Sequence, residues 1–165
     1  MEKEFLHIIS KNQGIIHKVC NIYCDNEDDR NDLMQEILAQ LWKSYSTFRN
    51  ESKFSTWMYR VALNTAITFF KKNIRLPRQT SLTDSNLQIA YEEYTPETEE
   101  NIRILRLAVA RLTGIEKSII LLFLENKSYE EIAEITGITQ NYVRVKMNRI
   151  KKKLKTMMSS EEDMP

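Results

Sequence analysis

Apolar side chains recur every three or four residues along most of this chain, the spacing that places them on one face of an α-helix. The segment from about Glu4 to Tyr23 has this spacing, with Gly14 as a possible break, and predicts one core helix or two short ones. Asn26 can cap the next helix, and acidic residues follow it where they favour the positive end of a helix dipole. That helix is predicted to extend to about Tyr45. Its apolar stripe consists of Leu33, Met34, Ile37, Leu38, Leu41 and Trp42.

The segment from Phe54 to Lys72 predicts a helix with two different faces. One face is an ordinary core stripe, made of Phe54, Met58, Val61, Ala62, Thr65 and Phe69. The second face combines an aromatic ring, an amide and cations, and consists of Trp57, Arg60, Asn64, Thr68 and Lys71. Such a face suits a strand of nucleic acid, because bases stack on rings while cations bind phosphates. The alternative is that Trp57 packs inside the protein and Arg60 only covers it.

Two polar segments flank this helix. The connector from Ser46 to Lys53 precedes it, and its Phe48 either belongs to a binding loop or seals the helix junction. After Lys72 the periodicity ends, and Pro77 with the acidic stretch up to Glu100 predicts a linker. Within that stretch, Thr95 and Pro96 can cap and begin a new helix.

The second half of the chain predicts four helices. Ile102, Leu105, Val109 and Leu112 form one stripe, and after a break at Thr113-Gly114 another helix contains the apolar run 119–124. Ser128-Tyr-Glu-Glu131 is a capping box, Gly137 allows a left-handed turn, and Thr139 can cap the basic helix Gln140 to Lys155. A short helix, a glycine turn and a longer basic helix are typical of a helix-turn-helix that enters the major groove. A membrane surface or an acidic partner is the alternative for a basic helix, but the capped helix and turn favour DNA.

Composition agrees with an all-α protein of two small helical domains joined by a linker, the second containing a helix-turn-helix. The 165 residues include only three Gly and three Pro, which leaves little room for hairpins or barrels. The net charge is only +1, so positive charge for nucleic acid must be segregated. Residues 140–155 carry seven Lys or Arg and no acid, whereas residues 80–100 carry six acids and no base.

The cysteines and the hydropathy profile constrain other classes. Cys20 and Cys24 are too few for a disulfide framework, which favours a reducing compartment. With His17 they have helical spacing and could point three metal ligands one way, but packing of two small thiols is the expected role, so no metal and no cofactor are predicted. No apolar run is long enough to cross a bilayer, and the amino terminus lacks the layout of a signal peptide. A cytoplasmic protein without membrane insertion is expected.

Two long motifs resemble a known family. Asp32–Trp42 (DLMQEILAQLW) and Phe48–Asn64 (FRNESKFSTWMYRVALN) are similar to the domain of bacterial extracytoplasmic-function sigma factors that binds core RNA polymerase and melts promoters. Ser128–Ile138 (SYEEIAEITGI), with the basic helix after it, resembles their second DNA-binding domain. The resemblance implies domains at residues 1–75 and 101–157, a linker at 76–100 and a disordered tail at 158–165.

The resemblance also implies three sets of binding residues. The polar outer face of the second predicted helix, which water alone could otherwise explain, would face the polymerase clamp through Asp32, Gln35, Glu36, Ala39 and Gln40. The loop and the following helix would hold the melted non-template strand at the minus-ten element and capture an extruded base, through Phe48, Arg49, Asn50, Ser52, Phe54, Ser55, Trp57, Arg60, Asn64, Lys71 and Lys72. The basic helix would read the duplex minus-thirty-five element through Asn141, Tyr142, Arg144, Val145, Lys146, Asn148, Arg149 and Lys152.

Residue chemistry suggests individual roles in the basic helix. Arg144 could contact guanine or phosphate, Asn148 could read adenine, and Val145 could touch a thymine methyl group. Further lysines up to Lys155 would contact phosphate or remain solvated. The family usually begins this domain with Leu-Pro, whereas Thr113-Gly114 follows Leu112 here, which changes a cap and not a contact. The promoter sequence does not carry over from the family.

The resemblance implies core RNA polymerase (clamp and flap regions), promoter DNA and an anti-sigma protein as partners. A stand-alone helix-turn-helix regulator is the alternative, although it would normally dimerise and would have no use for the face around Trp57 and Asn64. An enzyme acting on nucleic acid is a third class. No carboxylate or metal-ligand cluster accompanies the DNA-binding features, since Asp28, Asp29, Asp32 and Glu36 are explained as helix-end charges and an interface.

Overall fold

Eight α-helices make up the part of the chain that the computed structural model describes, residues 2–73 and 95–162. The helices are α1 (Glu2–Lys11), α2 (Gln13–Tyr23), α3 (Glu27–Tyr45), α4 (Phe54–Asn73), α5 (Pro96–Ala110), α6 (Gly114–Leu124), α7 (Tyr129–Thr136) and α8 (Gln140–Glu162). This confirms the all-α prediction. Most of the predicted linker, including Pro77, lies outside the described residues. Its last five residues belong to α5, and α8 continues five residues past position 157.

The first four helices form the N-terminal unit. The opening segment is two helices, separated at Asn12 and not at Gly14, which lies in the first turn of α2. Asn26 caps α3 as predicted, since its side chain accepts a hydrogen bond from the Asp29 amide (2.8 Å). The core of this unit contains the fully buried side chains of Val19, Leu33, Ile37, Leu41 and Met58.

Trp42 does not belong to the core stripe of α3 as predicted. Its side chain is 47% exposed, and its ring meets that of Phe5 edge-on, with centroids 5.0 Å apart. Phe5 also packs against Tyr45, at 5.2 Å. The ring therefore covers α1 from outside, a role that helical spacing alone cannot separate from core packing.

The last four helices form the C-terminal unit. Every predicted cap is present: Thr95 begins α5, Ser128 and Glu131 form the capping box of α7, and the Thr139 hydroxyl accepts from the Tyr142 amide. Gly137 ends α7 in the left-handed region with φ 78°, as predicted. α7 and α8 therefore form the predicted helix-turn-helix.

The apolar stripe of α5 differs from the predicted one. Ile104 and Ala108 are buried, whereas Leu105 is 39% exposed. Ile102 and Val109 are half-buried beside Leu105. Helix α5 has apolar side chains on two adjacent faces, and packing against α8 selects the face that the sequence pattern did not favour.

Helix α6 is the centre of the structure. It contacts α2 and α4 of the N-terminal unit and α7 and α8 of its own unit, and all seven residues from Glu116 to Leu122 are buried. A helical segment without a polar face is expected to be buried on all sides. The apolar cores of the two units are consequently continuous through α6.

Polar contacts also join the units. The Tyr23 hydroxyl donates to the carbonyl oxygen of Gly114 at 2.6 Å. The Lys117 ammonium is buried with its Nζ atom 4.5 Å from the centre of the Phe70 ring and 5.9 Å from that of Tyr23. Burial lowers the pKa of Lys117, and the Asp25 carboxylate opposes this. The two units thus meet in a closed arrangement with a buried cation at its centre.

An ion pair between the buried Glu116 and the partly exposed Lys153 links α6 to α8. Glu116 completes a second capping box at Thr113, and its Oε1 atom also lies 2.9 Å from Nζ of Lys153. Burial would raise the pKa of Glu116, but hydrogen bonds from Thr113 and Lys153 outweigh it and hold the pKa below its ordinary value.

We expect Glu116→Gln to lower the free energy of unfolding by about 1 kcal/mol at neutral pH, because the charge-assisted hydrogen bond from Lys153 is lost. The depressed pKa of Glu116 contributes stability that is present above pH 4.5 and is lost as the pH falls through the folded pKa. Urea unfolding at several pH values would measure both effects. The exposed Glu99 is the matched control, and an equal loss in Glu99→Gln would contradict the assignment.

Candidate nucleic-acid interface

The loop before α4 holds a cluster of aromatic rings. The Phe48 ring lies 5.0 Å from Trp57 and 5.7 Å from Phe54, measured between centroids, and Tyr45 lies 6.5 Å from Trp57. Trp57 is only 8% exposed at the centre of this cluster. Of the two alternatives that the sequence left open for Trp57, the structure therefore shows the inward-packed ring, because three neighbouring rings enclose it. Phe48 is half-buried and seals the junction while lining a cavity.

That cavity has a volume of about 550 Å³ and opens beside the loop. It is lined by Glu4, Ile8, Asn12, Tyr45, Ser46, Phe48, Asn50 and Phe54. Asn50 is held with φ 56°, a left-handed conformation that Asn tolerates better than most residues. Aromatic walls with amide groups suit the capture of a single planar base.

The other predicted minus-ten residues have different exposures. Arg49, Asn50, Asn64, Lys71 and Lys72 are exposed, whereas Ser52, Phe54, Ser55 and Arg60 are half-buried.

Helix α4 also has a third face that sequence reasoning missed. It includes the buried Tyr59, Leu63 and Ala66 and helps α4 pack against α6 and α7. Of the three faces of α4, one therefore packs in the core of its own unit, one is at the surface, and one packs against the other unit.

Arg60 lies at the contact between the units. Its guanidinium donates to the carbonyl oxygen of Glu134 on α7, at 2.9 Å. A second contact at another edge joins Lys18 of α2 to Glu125 at the end of α6, with Nζ and Oε2 2.7 Å apart. In the closed arrangement, one predicted minus-ten residue is therefore bound by the helix-turn-helix itself.

The outer face of α3 is exposed as predicted, at Asp32, Gln35, Glu36 and Ala39. Gln40 is half-buried and donates to the Glu36 carboxylate at 3.2 Å. A cleft of about 480 Å³ between α3 and α4 brings Glu36 and Gln40 together with Asn64, Thr68 and Lys72. The predicted polymerase-binding and minus-ten surfaces therefore adjoin.

Helix α8 presents its predicted residues to solvent. Exposed are Asn141, Tyr142, Arg144, Val145, Asn148, Arg149 and Lys152, and Lys146 is half-buried with its ammonium 5.7 Å from the Tyr142 ring centre. The opposite face is buried through Val143, Met147, Ile150 and Leu154. One face of α8 is thus anchored while the other displays cations and an amide, the arrangement that major-groove reading requires.

Two lysines near the end of the basic run have protein contacts. Lys153 pairs with Glu116, while its side chain stays 41% exposed. The Lys151 ammonium lies 5.0 Å from the ring centre of the exposed Phe123. Lys152 and Lys155 remain exposed. The phosphate-binding charge of α8 is therefore smaller than its sequence indicates.

The two cysteines and His17 lie in different environments. Cys20 and Cys24 are buried, His17 is exposed, and Cys24 lies past the end of α2 in extended backbone. Burial raises the pKa of Cys20 to about 11 and that of Cys24 to about 12. Both thiols stay protonated at neutral pH. Among the described residues no group of His, Cys, Asp and Glu could hold a metal ion, and no helix could span a membrane.

Two family models match this chain. Residues 8–75 match the model of sigma-70 region 2, and residues 102–154 match that of sigma-70 region 4. The first match contains the loop cavity and α4, and the second contains the helix-turn-helix.

Curated relatives match over nearly the whole chain. The RNA polymerase sigma factor SigV of Bacillus subtilis is 29% identical over 155 residues, covering 93% of this chain and 90% of that protein. The ECF RNA polymerase sigma-E factor of Haemophilus influenzae is 30% identical over 163 residues, covering 90% of this chain and 84% of that protein.

Solved structures share the fold. CnrH in complex with the cytosolic domain of CnrY has a TM-score of 0.67 at 16% identity, covering 97% of this chain and 90% of that one. The sigma factor RpoE in complex with the anti-sigma factor NepR from Bartonella quintana has a TM-score of 0.73 at 16% identity, covering 95% and 98%. From these matches we conclude that the chain belongs to the extracytoplasmic-function RNA polymerase sigma factors of the sigma-70 family.

Proposed function

We propose that this chain binds core RNA polymerase, directs it to a class of promoters and helps to melt them, acting by binding and without a catalytic site. The observation that carries the proposal is the combination, in one chain, of an exposed basic recognition helix with an aromatic loop cavity. The order of the two matched sigma-70 regions supports it. A stand-alone regulator that binds only duplex DNA would have no use for the cavity.

At the minus-ten element, we assign strand capture to residues 1–75. The cavity beside Phe48 and Asn50 is large enough for one extruded base, whose stacking on an aromatic ring offsets an unstacking cost of a few kcal/mol. The exposed Asn64 would bond a neighbouring base, and Lys71 and Lys72 would hold phosphates. Trp57 supports the cavity from behind and does not itself stack on a base.

At the minus-thirty-five element, we assign duplex reading to residues 101–157. Arg144 and Asn148 project from the exposed face of α8, one turn apart, as side chains that read adjacent bases do. Val145, 38% exposed, offers an apolar contact for a thymine methyl group. Lys152 and Arg149 would meet the backbone phosphates.

The outer face of α3 is assigned to the polymerase clamp, and the second unit would contact the flap. Polar and acidic groups along that face include Asp32, Gln35 and Glu36, all exposed. An anti-sigma protein is a further proposed partner, and RpoE from Bartonella quintana, which has the same fold, was solved with one. We also propose that this chain is cytoplasmic, as the transcription factors of its family are.

The test is co-migration of the purified chain with bacterial core RNA polymerase in size-exclusion chromatography, followed by opening of a promoter selected from random DNA. Glu36→Lys should weaken polymerase binding at least about tenfold, because it reverses a charge at the proposed interface. Glu27→Lys, at a position that is also exposed and lies in the first turn of the same helix, is the control. Tight binding to duplex DNA with no affinity for polymerase would refute the proposal and favour a conventional regulator.

A further inference from the structure

An apolar groove with a volume of about 400 Å³ lies where α2, α5 and α6 meet. Its walls include Ile22 from the N-terminal unit and Leu105, Val109, Leu121 and Leu124 from the C-terminal unit. Leu105 is 39% exposed and Leu124 is 59% exposed, so the groove presents a cluster of apolar side chains to solvent. Neither the three assigned binding surfaces nor the helix-turn-helix uses this groove.

Positive charge surrounds the apolar walls. Lys18, Arg30 and Arg106 line the groove together with one acid, Asp25. Lys18 already pairs with Glu125, and Arg30 donates to the backbone oxygen of Asp25 at 3.3 Å.

Arg106 differs from the other two cations. Its Nε atom is buried and has no hydrogen-bond partner in the described part of the chain. Burial also lowers the pKa of this guanidinium, which stays charged. Arg106 also lines the groove, and a charged guanidinium in an apolar wall binds an anion through its planar fork of N–H donors.

The dimensions and charges select one class of ligand. A volume of this size matches small-molecule sites, which are mostly apolar with a few polar groups that fix orientation. A carboxylate matches the fork of a guanidinium, and an alkyl chain would cover the exposed leucines. Asp25 on the same rim disfavours a second negative charge, so that a monoanion fits better than a phosphate dianion.

We propose that this groove binds a medium-chain fatty acid, with the carboxylate on Arg106 and the alkyl chain between Leu105 and Leu124. The groove has walls from both units, so the ligand binds only while the units are closed. By linkage, it stabilises the closed arrangement against any state in which the units separate. This consequence for transcription rests on the proposed function, whereas the binding itself does not.

Binding is tested on the full chain with decanoate, kept below its micelle concentration, by calorimetry and by methyl NMR. We expect one site, with shifts at the methyl groups of Ile22, Leu105 and Leu124. Arg106→Gln should weaken binding about tenfold, whereas Arg103→Gln, one turn away on the same helix and outside the groove, should not. Leu124→Asn, at an exposed position that leaves the core intact, should weaken it as well.

Other amphiphiles distinguish a specific carboxylate site from non-specific adsorption. Decyltrimethylammonium should not bind, and equal binding of the cation and the carboxylate would overturn the proposal as non-specific adsorption. Decanoate binding that Arg106→Gln and Leu124→Asn both leave unchanged would overturn it too. So would self-association of the chain through the groove in ultracentrifugation, or binding of an acidic amphipathic peptide in place of decanoate.

The coupling between decanoate binding and closure of the units is measured separately, by energy transfer between dyes on the two units. Saturating decanoate should raise the closed fraction in the free chain, and no change would overturn the linkage. This measurement needs no polymerase, so failure of the proposed function in the promoter assay leaves the ligand result intact. Conversely, a working sigma factor that does not bind decanoate would refute only the ligand site.

Discussion

A covalent bridge between positions 18 and 125 should reduce promoter opening by at least about tenfold, even with saturating polymerase. These positions form the ion pair between α2 and the end of α6, and both lie outside the three proposed binding surfaces. Lys18→Cys and Glu125→Cys, joined by a short cleavable bismaleimide, would hold the units closed. Opening of a fluorescent promoter probe would be measured before and after cleavage of the bridge, which should restore it.

The reason for this expectation is distance. The minus-ten and minus-thirty-five elements are about 25 base pairs apart, or roughly 85 Å along the duplex. In the closed arrangement α4 contacts α7, whose partner in the helix-turn-helix is α8. Packed helices have axes about 10 Å apart, so the two DNA-reading surfaces are too close to occupy both elements.

Two controls accompany the bridge. Each single cysteine variant treated with the same reagent should open the promoter normally. A bridge within α5, between Glu100→Cys and Arg103→Cys, tests the chemistry without joining the units. The native thiols should not compete, because both are buried and burial raises the pKa of Cys20 to about 11. Normal opening by the bridged chain would contradict the requirement for separation.

Asn64→Ala should slow strand opening by about ten- to a hundredfold, the equivalent of roughly 1–3 kcal/mol from a lost amide contact to a base. Asn64 is exposed on α4, so the substitution removes no core packing. Opening kinetics on a duplex promoter would show the loss, and binding to duplex minus-thirty-five DNA should stay unchanged.

Arg144→Ala provides the opposite pattern. It should weaken duplex minus-thirty-five binding and reduce the salt dependence of that binding. Transcription from a template with a pre-melted bubble should stay normal.

One result would contradict the assignment of Asn64: unchanged opening together with weaker polymerase binding. Because Asn64 shares a cleft with Glu36 and Gln40, that outcome would move it to the polymerase interface.

Local signals in the sequence were sufficient for most helix boundaries. Asn26, Thr95, Ser128 and Thr139 each satisfy backbone amides at a helix start, and Gly137 is needed where φ is positive. These signals depend on neighbours within a few residues, and periodicity supplies the rest of each helix. The exposed face of α8 followed from the same reasoning.

Long-range packing was not predictable in this way. Trp57 has the spacing of a second face, but the loop folds Phe48 over it and buries the ring. Arg60 and Lys153 carry charges typical of DNA contacts, and partners 74 and 37 residues away in sequence occupy them here. The sequence alone does not distinguish a lysine or arginine side chain that is solvated from one that is paired within the protein.

One feature of the sequence does indicate the contact between the units. The run from Glu116 to Leu122 has no continuous polar face, and a helical segment of that kind is expected to be covered on all sides. The helices of its own unit cover only part of α6. Lys117 within this run indicates a specific neighbour, since a buried ammonium needs aromatic rings or an acid beside it.

The burial of α6 has a consequence for the lifetime of the protein in the cell. When the units separate, the side of α6 that packs on α2 and α4 becomes solvent-exposed, and the chain gains an apolar patch. Proteases and chaperones act on such surfaces, so an open chain without polymerase would be degraded sooner than a closed or polymerase-bound one. The number of molecules in the cell would then follow the supply of free polymerase, without a dedicated degradation signal.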